Sequence, residues 1–470
     1  MSPMKGSAAA GAAGIAFATL VFMAPAIWNG SPLFYWDSVD YVYLPFTWEL
    51  PVYRTMPYGA FAGIGRLTGS LWAIVIVQAL LTAYVLHETF DTFTPGRATR
   101  LLAIVAVPLT LLTGVGWTAG EIMPDVFTAP AVLAVIVLAF SRGKLHPLRR
   151  LALACILVVA TAVHSSHVAV GAGLVVVLAG AYFWLRRRDP GLAPRVALPA
   201  AAIVAGIGLI ATIHWVTLGR PFVTQPSSVL WLGRLVQDGI AQRFLDDNCK
   251  TGHEYKLCAM SGKLPKTANV FLWEWGGAPL QLYGSWEQMA PEASKILSKS
   301  LRDYPWLHVK AAVALSVEQL ARFKTGDGVE NKMEWLLTDT LKRYYPDDRA
   351  AWLASHQMAK PGGIDFEAIN RFHVPVQAIL QILLIAMVVV TLRRGDRMST
   401  MLAALVVVAL LGNAFVCGAL SNPNDRYQNR IVWLALVALS VGVVRARSGI
   451  SSRQGYGERS AAGTAPAPRA

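Results

Sequence analysis

Long, uninterrupted runs of apolar residues limit what this sequence can fold into. An α-helix needs roughly 17 to 25 residues to cross the hydrocarbon core of a bilayer, and ten runs approach or reach that length. They are Gly11–Trp28, Leu71–Phe90, Leu101–Gly116, Pro124–Phe140, Leu151–Val163, Val168–Leu185, Val196–Leu218, Val374–Leu392, Met398–Leu420 and Ile431–Val444. Only 15% of the residues are charged, against about 25% in soluble domains. The sequence therefore predicts an all-α polytopic membrane protein with about ten transmembrane helices.

The positively charged residues mark alternate loops between these runs. Loops that stay in the cytoplasm are enriched in Lys and Arg, and the loops concerned contain Lys5, Arg97, Arg100, Arg142, Lys144, Arg149, Arg150, Arg186, Arg187, Arg188, Arg195, Arg393, Arg394, Arg397, Arg445 and Arg447. The intervening short loops Trp117–Met123 and His164–His167 contain no Lys or Arg. This alternation predicts both termini in the cytoplasm. It also explains the net charge of +14 without a nucleic-acid partner. The first run has a second interpretation, a cleaved signal peptide, because Ala24-Pro25-Ala26 resembles a cleavage site.

The apolar runs divide the chain into modules. Residues 1–218 are predicted to form an N-terminal module of about seven spans, with a first external loop at 29–70. Residues 219–373 are polar and aromatic, so they should form an extracytoplasmic domain of mixed structure. Residues 374–447 should form three further spans, and 448–470 a disordered cytoplasmic tail. The Ala-, Arg- and Gly-rich composition suggests a bacterium of high GC content, and thus its inner membrane.

Two features of the external domain can be predicted from its sequence. Cys249 and Cys258 lie close together in a segment assigned to an oxidising compartment, which favours a disulfide; two free thiols are the alternative. Trp306–Lys324 is amphipathic, with charged residues on its apolar face, and is predicted to be a helix lying in the membrane interface.

Two acidic residues follow the first span within Tyr35–Tyr41. Asp37 and Asp40 are three residues apart and would share one face of a helix. A carboxylate at this place could act as a general base or hold a metal ion or a hydroxyl group. The alternative is a short interfacial helix whose acids are simply solvated.

Arginines in two external loops break the charge rule. Arg54 lies in the first external loop, and Arg426 and Arg430 lie four apart between spans nine and ten. Guanidinium groups there could hold a phosphate or diphosphate. Alternatively, Arg54 pairs with Asp37, Asp40 or Glu49, and the other two contact lipid headgroups or form a loop ion pair. The predicted phosphate- and donor-binding residues are Arg54, Tyr58, Arg426, Tyr427 and Arg430.

Two further pairs of polar residues lie at loop ends. Glu121 and Asp125, four apart, could add carboxylates to the same pocket or could cap a helix start. His164 and His167 have a spacing that permits a metal ion, but two imidazoles are a weak signal. The metal requirement is therefore undetermined, with a divalent cation as a candidate cofactor.

Three motifs give the chain a family resemblance: Trp36–Tyr41 (WDSVDY), the segment PVYRTMPYGAFAGIGRLTG and the element EIMPD. With their order along the chain, they resemble the GT-C superfamily of polytopic glycosyltransferases, which includes protein mannosyltransferases and aminoarabinose transferases. The resemblance is best over residues 13–190. It departs from the family where the paired acids, usually adjacent, are split as Asp37 and Asp40.

The resemblance implies a function at the outer membrane face. The donor would be a sugar on a polyprenyl phosphate, and the acceptor an envelope glycan, lipid or protein. Asp37, with Asp40 beside it, would deprotonate or orient the acceptor hydroxyl, while Arg54, Arg426 and Arg430 would stabilise the leaving phosphate. Two other hypotheses stay open: a flippase or transporter for lipid-linked oligosaccharides, and a catalytically inactive assembly subunit of an envelope polysaccharide complex.

Overall fold

The computed structural model describes residues 3–51, 54–141, 145–224, 227–249, 254–274 and 277–448. Its first helices are α1 Pro3–Asn29, α2 Ser38–Thr47, α3 Met56–Thr68, α4 Trp72–Phe93, α5 Ala98–Leu112, α6 Val115–Gly120, α7 Thr128–Phe140, α8 Pro147–Ala162, α9 Ser165–Arg188 and α10 Ala197–Leu218. The central helices are α11 Ser227–Gln237, α12 Ile240–Asn248, α13 Ala268–Trp273, α14 Ala278–Gln281, α15 Trp286–Asp303, α16 Pro305–Ala321, α17 Glu334–Tyr344 and α18 Pro346–Leu353. The last are α19 Phe366–Arg393, α20 Arg397–Leu420, α21 Asp425–Val432 and α22 Leu434–Arg447. Short 3-10 turns cover Pro124–Phe127, Lys256–Met260, Asn331–Met333 and His356–Met358.

All ten apolar runs lie on helices, but they differ in length. Seven helices in the described ranges are long and apolar enough to cross a membrane: Ala8–Asn29, Trp72–Phe93, Ser165–Arg188, Ala197–Leu218, Phe366–Arg393, Arg397–Leu420 and Asp425–Arg447. The other three runs form α5, α7 and α8, of 15, 13 and 16 residues. The chain is therefore a multi-pass helical membrane protein, and the count of about ten spans remains a prediction.

Loops that the charge pattern assigns to one side meet at one end of the bundle. Arg445 at the end of α22 donates to Asp396 before α20 at 2.8 Å and to the carbonyl of Phe93 at 2.9 Å. Arg149 at the start of α8 pairs with Glu88 of α4 at 2.5 Å. We call this the basic end and the other the site end. Arg142, Lys144 and the tail beyond Ser448 lie outside the described residues.

Helix α7 lies at the centre of the bundle. Every residue from Thr128 to Phe140 is buried, and the helix contacts α4, α8, α9 and α20. The 3-10 turn Pro124–Phe127 leads into it and is buried as well. Because this turn contains Asp125, the core delivers a carboxylate to the middle of the site end.

The segment 219–373 is helical and consists of two parts. A mixed structure was expected, and this expectation is wrong: its described residues form helices α11–α18 and contain no strand. Pairs four residues apart, such as Lys299 and Asp303 at 2.8 Å, suit helices. Helices α11 to α15 share a separate core, whereas Phe323, Met333 and Trp352 join the core of the bundle. The predicted disulfide between Cys249 and Cys258 is confirmed, with their Cα atoms 5.7 Å apart.

The predicted interfacial segment Trp306–Lys324 forms α16, which packs against α20. Gly418 of α20 allows the contact, because a Cβ there would lie 2.5 Å from the carbonyl oxygen of Leu315. The Gln319 side chain donates to the carbonyl of Asn424 at 2.8 Å. Helix α16 is thus held against the side of α20, a contact that the prediction of a separate interfacial helix did not include.

Candidate functional site

The segment after α1 lies beside the segment that contains Glu121. The N–H of Leu33 donates to the carbonyl of Gly120 at 2.8 Å, and the N–H of Ile122 donates to the carbonyl of Leu33 at 3.0 Å. The hydroxyl of Ser38 donates to the carbonyl of Ile122 at 2.9 Å. These bonds bring two of the predicted acidic motifs together at the site end.

Asp37 and Asp40 share one partner, Arg54. Asp37 precedes α2 and Asp40 lies in its first turn, so both face the same way, as their spacing predicts. The Arg54 Nη2 lies 2.5 Å from Asp37 Oδ1, and Nε lies 2.9 Å from Asp40 Oδ2. Burial raises the pKa of Asp40, and the adjacent Arg54 opposes this effect. Arg54 is therefore placed as the ion-pair partner, the alternative that the sequence left open, and not as a free phosphate ligand.

Arg426 occupies the centre of the site. Its guanidinium lies over the ring of Tyr35 at 4.2 Å and donates to the Tyr427 hydroxyl at 3.2 Å. One nitrogen, Nη1, lies 3.5 Å from Asp37 and 3.9 Å from Asp125. Both Nη1 and Nε are buried and have no hydrogen-bond partner among the described residues. Since a buried unsatisfied donor is costly, these two atoms are suited to a ligand with acceptor oxygens.

Arg430 is fully buried and already has partners. Its guanidinium donates to Asp125 Oδ1 at 2.9 Å, to the Ser166 hydroxyl at 3.0 Å and to Asn413 Oδ1 at 3.1 Å. The sulfur of Cys417 lies 3.3 Å from it. The predicted phosphate role of Arg430 is thus not supported by its contacts: it fixes the Asp125 carboxylate.

A small cavity of about 20 Å³ lies beside these groups, roughly the space of one water molecule. Glu121, Asp125, Asp327 and Arg426 are among its lining residues. Asp327 was missed by the sequence interpretation. The sequence feature that could have pointed to Asp327 is the tripeptide Gly326-Asp327-Gly328, in which two glycines permit an unusual turn.

The pKa values of two cavity carboxyls are raised. Burial raises the pKa of Glu121 well above its ordinary value, and the charge of Asp125 adds to this. Burial also raises the pKa of Asp327, partly opposed by its hydrogen bond to the backbone of Arg426. Glu121 is therefore suited to be the neutral carboxyl of the site.

Replacing Glu121 by Gln is expected to stabilise the protein at high pH. An acid whose pKa is raised in the folded state is fully accommodated below its unfolded pKa, about 4.3, and stability is lost as the pH rises towards the folded pKa. Each unit of difference corresponds to about 1.4 kcal/mol. Thermal unfolding in detergent between pH 4.5 and 8 should show E121Q gaining stability over wild type as the pH rises. The exposed Glu274→Gln is the control, and parallel curves for E121Q and wild type would contradict this assignment.

Two predicted tyrosines have different positions. Tyr58 is fully buried and donates to Gln78 Oε1 at 2.5 Å; Gln78 in turn donates to the carbonyl of Glu121 at 2.8 Å. Its predicted donor-binding role is therefore not supported, and it positions the Glu121 segment instead. The ring of Tyr427 lies below both Arg426 and Arg430, at 4.8 and 5.2 Å. It remains a site residue.

The two histidines are used in hydrogen bonds. His167 donates from Nδ1 to the carbonyl of Ala160 at 2.6 Å and accepts at Nε2 from the Thr128 hydroxyl at 2.7 Å. His164 accepts at Nδ1 from the N–H of Ser166 at 3.2 Å. In the ranges that the structure describes, no three His, Cys, Asp or Glu side chains form a group that could hold a metal ion.

Fold and site together define a multi-pass membrane protein with a cluster of buried charges at one end of its helix bundle. Comparisons with protein-family models, with curated proteins and with solved structures found no match.

Proposed function

We propose that this protein is a membrane glycosyltransferase that moves a sugar from a polyprenyl-phosphate donor to an envelope glycan, lipid or protein. The observation that carries the proposal is the convergence of Asp37, Arg426 and Asp125 at the site end of the bundle. These residues come from three separated segments, each next to a predicted span. A charge cluster beside a membrane surface is suited to a lipid with a charged headgroup. The fold would then be GT-C-like, with about ten spans.

The chemistry would be a single displacement at the anomeric carbon. The acceptor hydroxyl oxygen bonds to that carbon while its proton passes to the Asp37 carboxylate. The bond from the same carbon to the phosphate oxygen breaks, and the polyprenyl phosphate leaves with the electron pair. The Nε and Nη1 of Arg426, which make no hydrogen bond among the described residues, would stabilise that charge. Preorganised donors in a dry site are usually the largest catalytic contribution.

The proposed location is the inner membrane of a bacterium, with the site end facing the extracytoplasmic side. The positive residues of the alternate loops support this orientation. The disulfide of Cys249 and Cys258 supports it too, because disulfides persist in oxidising compartments. The two cysteines follow α10 in the chain. His214 of α10 accepts a hydrogen bond from the N–H of Met56, which lies at the site end.

The wild-type protein in nanodiscs should release polyprenyl phosphate from a polyprenyl-phosphate sugar when an acceptor is present. Arg426→Gln is expected to lower the transfer rate on the order of 10²-fold, as removal of one charge-stabilising donor does in other enzymes. The measurement is product formation with a radiolabelled donor.

Arg371→Gln is the matched control, because Arg371 is an exposed arginine of α19. Its rate should equal that of wild type. Absence of turnover with a panel of polyprenyl-phosphate sugars would contradict the proposed function. Equal rates for Arg426→Gln and wild type would remove Arg426 from the mechanism.

One observation favours a second candidate, a catalytically inactive assembly subunit. Arg54 forms ion pairs with both acids, Asp37 and Asp40. Such a pair could be retained for structure alone. Stable co-purification with an envelope-synthesis enzyme, together with wild-type phenotypes for Asp37→Asn and Arg54→Ala, would favour this candidate.

A further inference from the structure

The turn at Lys324–Val329 reaches into the site from the segment between α16 and α17. The N–H of Thr325 donates to Asn370 Oδ1 at 2.8 Å, and Asn370 Nδ2 donates back to the carbonyl of Thr325 at 2.9 Å. The N–H of Val329 closes the turn on the carbonyl of Gly326 at 3.1 Å. The turn is thus anchored at its start, while its tip contains Asp327.

Glycines on both sides give Asp327 its position. Gly326 and Gly328 have φ values of +84° and +76°, which favour glycine. A Cβ on Gly328 would lie 1.9 Å from the ring of Tyr35. The turn therefore packs directly on the aromatic ring that also lies against Arg426.

The side chain of Asp327 contacts the N-terminal end of α21. Its Oδ2 accepts from the backbone N–H of Arg426 at 3.1 Å, in the first turn of that helix. Free N–H groups and the helix dipole make such a position favourable for an anion. The same residue, Arg426, has the buried donor Nε, which has no acceptor among the described residues, and Nη1, which makes no hydrogen bond but lies 3.5 Å from Asp37. The Asp327 carboxylate therefore accepts from only some of the Arg426 donors, and the others could bind further oxygen atoms.

The cavity beside Asp327 is too small for a phosphate group. Its volume is about 20 Å³, whereas a single water already needs about 10–15 Å³. A phosphate could reach the backbone N–H of Arg426 only after Asp327 has left. Phosphate has the extra acceptor oxygens that these donors lack, and guanidinium–phosphate bonds are among the stronger hydrogen bonds in proteins.

We propose that Asp327 is an internal substitute for the substrate phosphate, and that a phosphate binding at Arg426 displaces Asp327 and opens the turn Lys324–Val329. The inference rests on the proposed function in one respect only: that function identifies the phosphate as part of a lipid-linked sugar. The site would then be closed by its own acid in the absence of substrate and opened by the group that it binds.

The first measurement is phosphate binding to the full-length protein in nanodiscs. Asp327→Asn keeps the size of the side chain and removes the competing charge, so it should bind inorganic phosphate about tenfold more tightly than wild type. Asp339→Asn, which removes an exposed acid of α17, should leave the affinity unchanged. Unchanged or weaker binding by Asp327→Asn would overturn the inference.

The second measurement needs no variant. Hydrogen–deuterium exchange of wild type should increase in residues 324–329 when inorganic phosphate or a polyprenyl phosphate is added. Exchange that stays constant or falls with both ligands would overturn the inference, even if Asp327→Asn does not fold. A response to the polyprenyl phosphate alone would support it and assign the site to the lipid-linked form.

These measurements are independent of sugar transfer. A protein that opens with phosphate but transfers no sugar would keep the inference and contradict the proposed function. A protein that transfers sugar, but whose turn does not respond to phosphate, would support the proposed function and contradict the inference.

Discussion

Replacing Asp37 by Asn is expected to lower the rate of sugar transfer by about 10²–10⁴-fold, the usual contribution of a positioned general base. Asp37 is the acid that contacts both Arg54, at 2.5 Å, and Arg426, at 3.5 Å. It therefore lies beside Arg426, the residue proposed to hold the leaving phosphate. Asn keeps the shape but cannot accept the proton. The measurement is kcat/KM in nanodiscs with a polyprenyl-phosphate sugar as donor.

Asp40→Asn should have a much smaller effect, less than about tenfold, because a group that only positions another leaves the proton transfer intact. Asp40 is buried and pairs with Arg54 but has no ion pair with Arg426 among the described residues. Asp339→Asn serves as the control for removing one acid. If Asp37→Asn retained full activity, Asp37 would not be the base. If Asp40→Asn lost more activity than Asp37→Asn, the two roles would be exchanged.

The membrane class of this protein could be predicted because the features that determine it are continuous segments of the sequence. A helix that crosses lipid must satisfy its backbone internally and present apolar side chains over its whole length, and both requirements are visible in runs such as Met398–Leu420. The alternation of positive loops is visible along the sequence as well. The loops that it assigns to one side meet at the basic end, where Arg445 contacts Asp396 and the carbonyl of Phe93.

The lateral order of the helices could not be predicted in the same way. Lipid-facing and protein-facing helices are both apolar, and packing between them depends on small residues and side-chain fit. The position of α16 against Gly418 leaves no mark in hydropathy. The separate core of α11–α15 could not be predicted either, because its contacts join residues that lie far apart in the sequence.

The site was predicted in part, for a physical reason. Asp37, Asp125 and Arg426 lie next to apolar runs, where charges are conspicuous. Asp327 lies in a polar segment with many other acids, so no charge contrast marks it. The different contacts of the two arginines were not predictable either: Arg430 donates to Asp125 at 2.9 Å, whereas neither Nε nor Nη1 of Arg426 makes a hydrogen bond among the described residues.

Replacing Arg430 by Met is expected to destabilise the protein by about 3–5 kcal/mol, the usual cost of leaving a buried charge without its partner. The Arg430 side chain is fully buried and lies 2.9 Å from Asp125 Oδ1. Without it, the nearest positive group to Asp125 is Arg426, at 3.9 Å. The measurement is the free energy of unfolding in mixed detergent and denaturant micelles, with the exposed Arg371→Met as control.

A double variant separates this ion pair from simple loss of packing. Asp125→Asn removes the charge that Arg430→Met leaves behind, so the double variant should be less destabilised than the sum of the two single variants, by on the order of 1–3 kcal/mol. Additive effects would show that Arg430 stabilises the protein through its other contacts, Ser166 and Asn413. A loss below about 0.5 kcal/mol for Arg430→Met would place it among ordinary surface substitutions. Arg430 would then again be a candidate to bind phosphate, since its guanidinium would not be needed to hold Asp125.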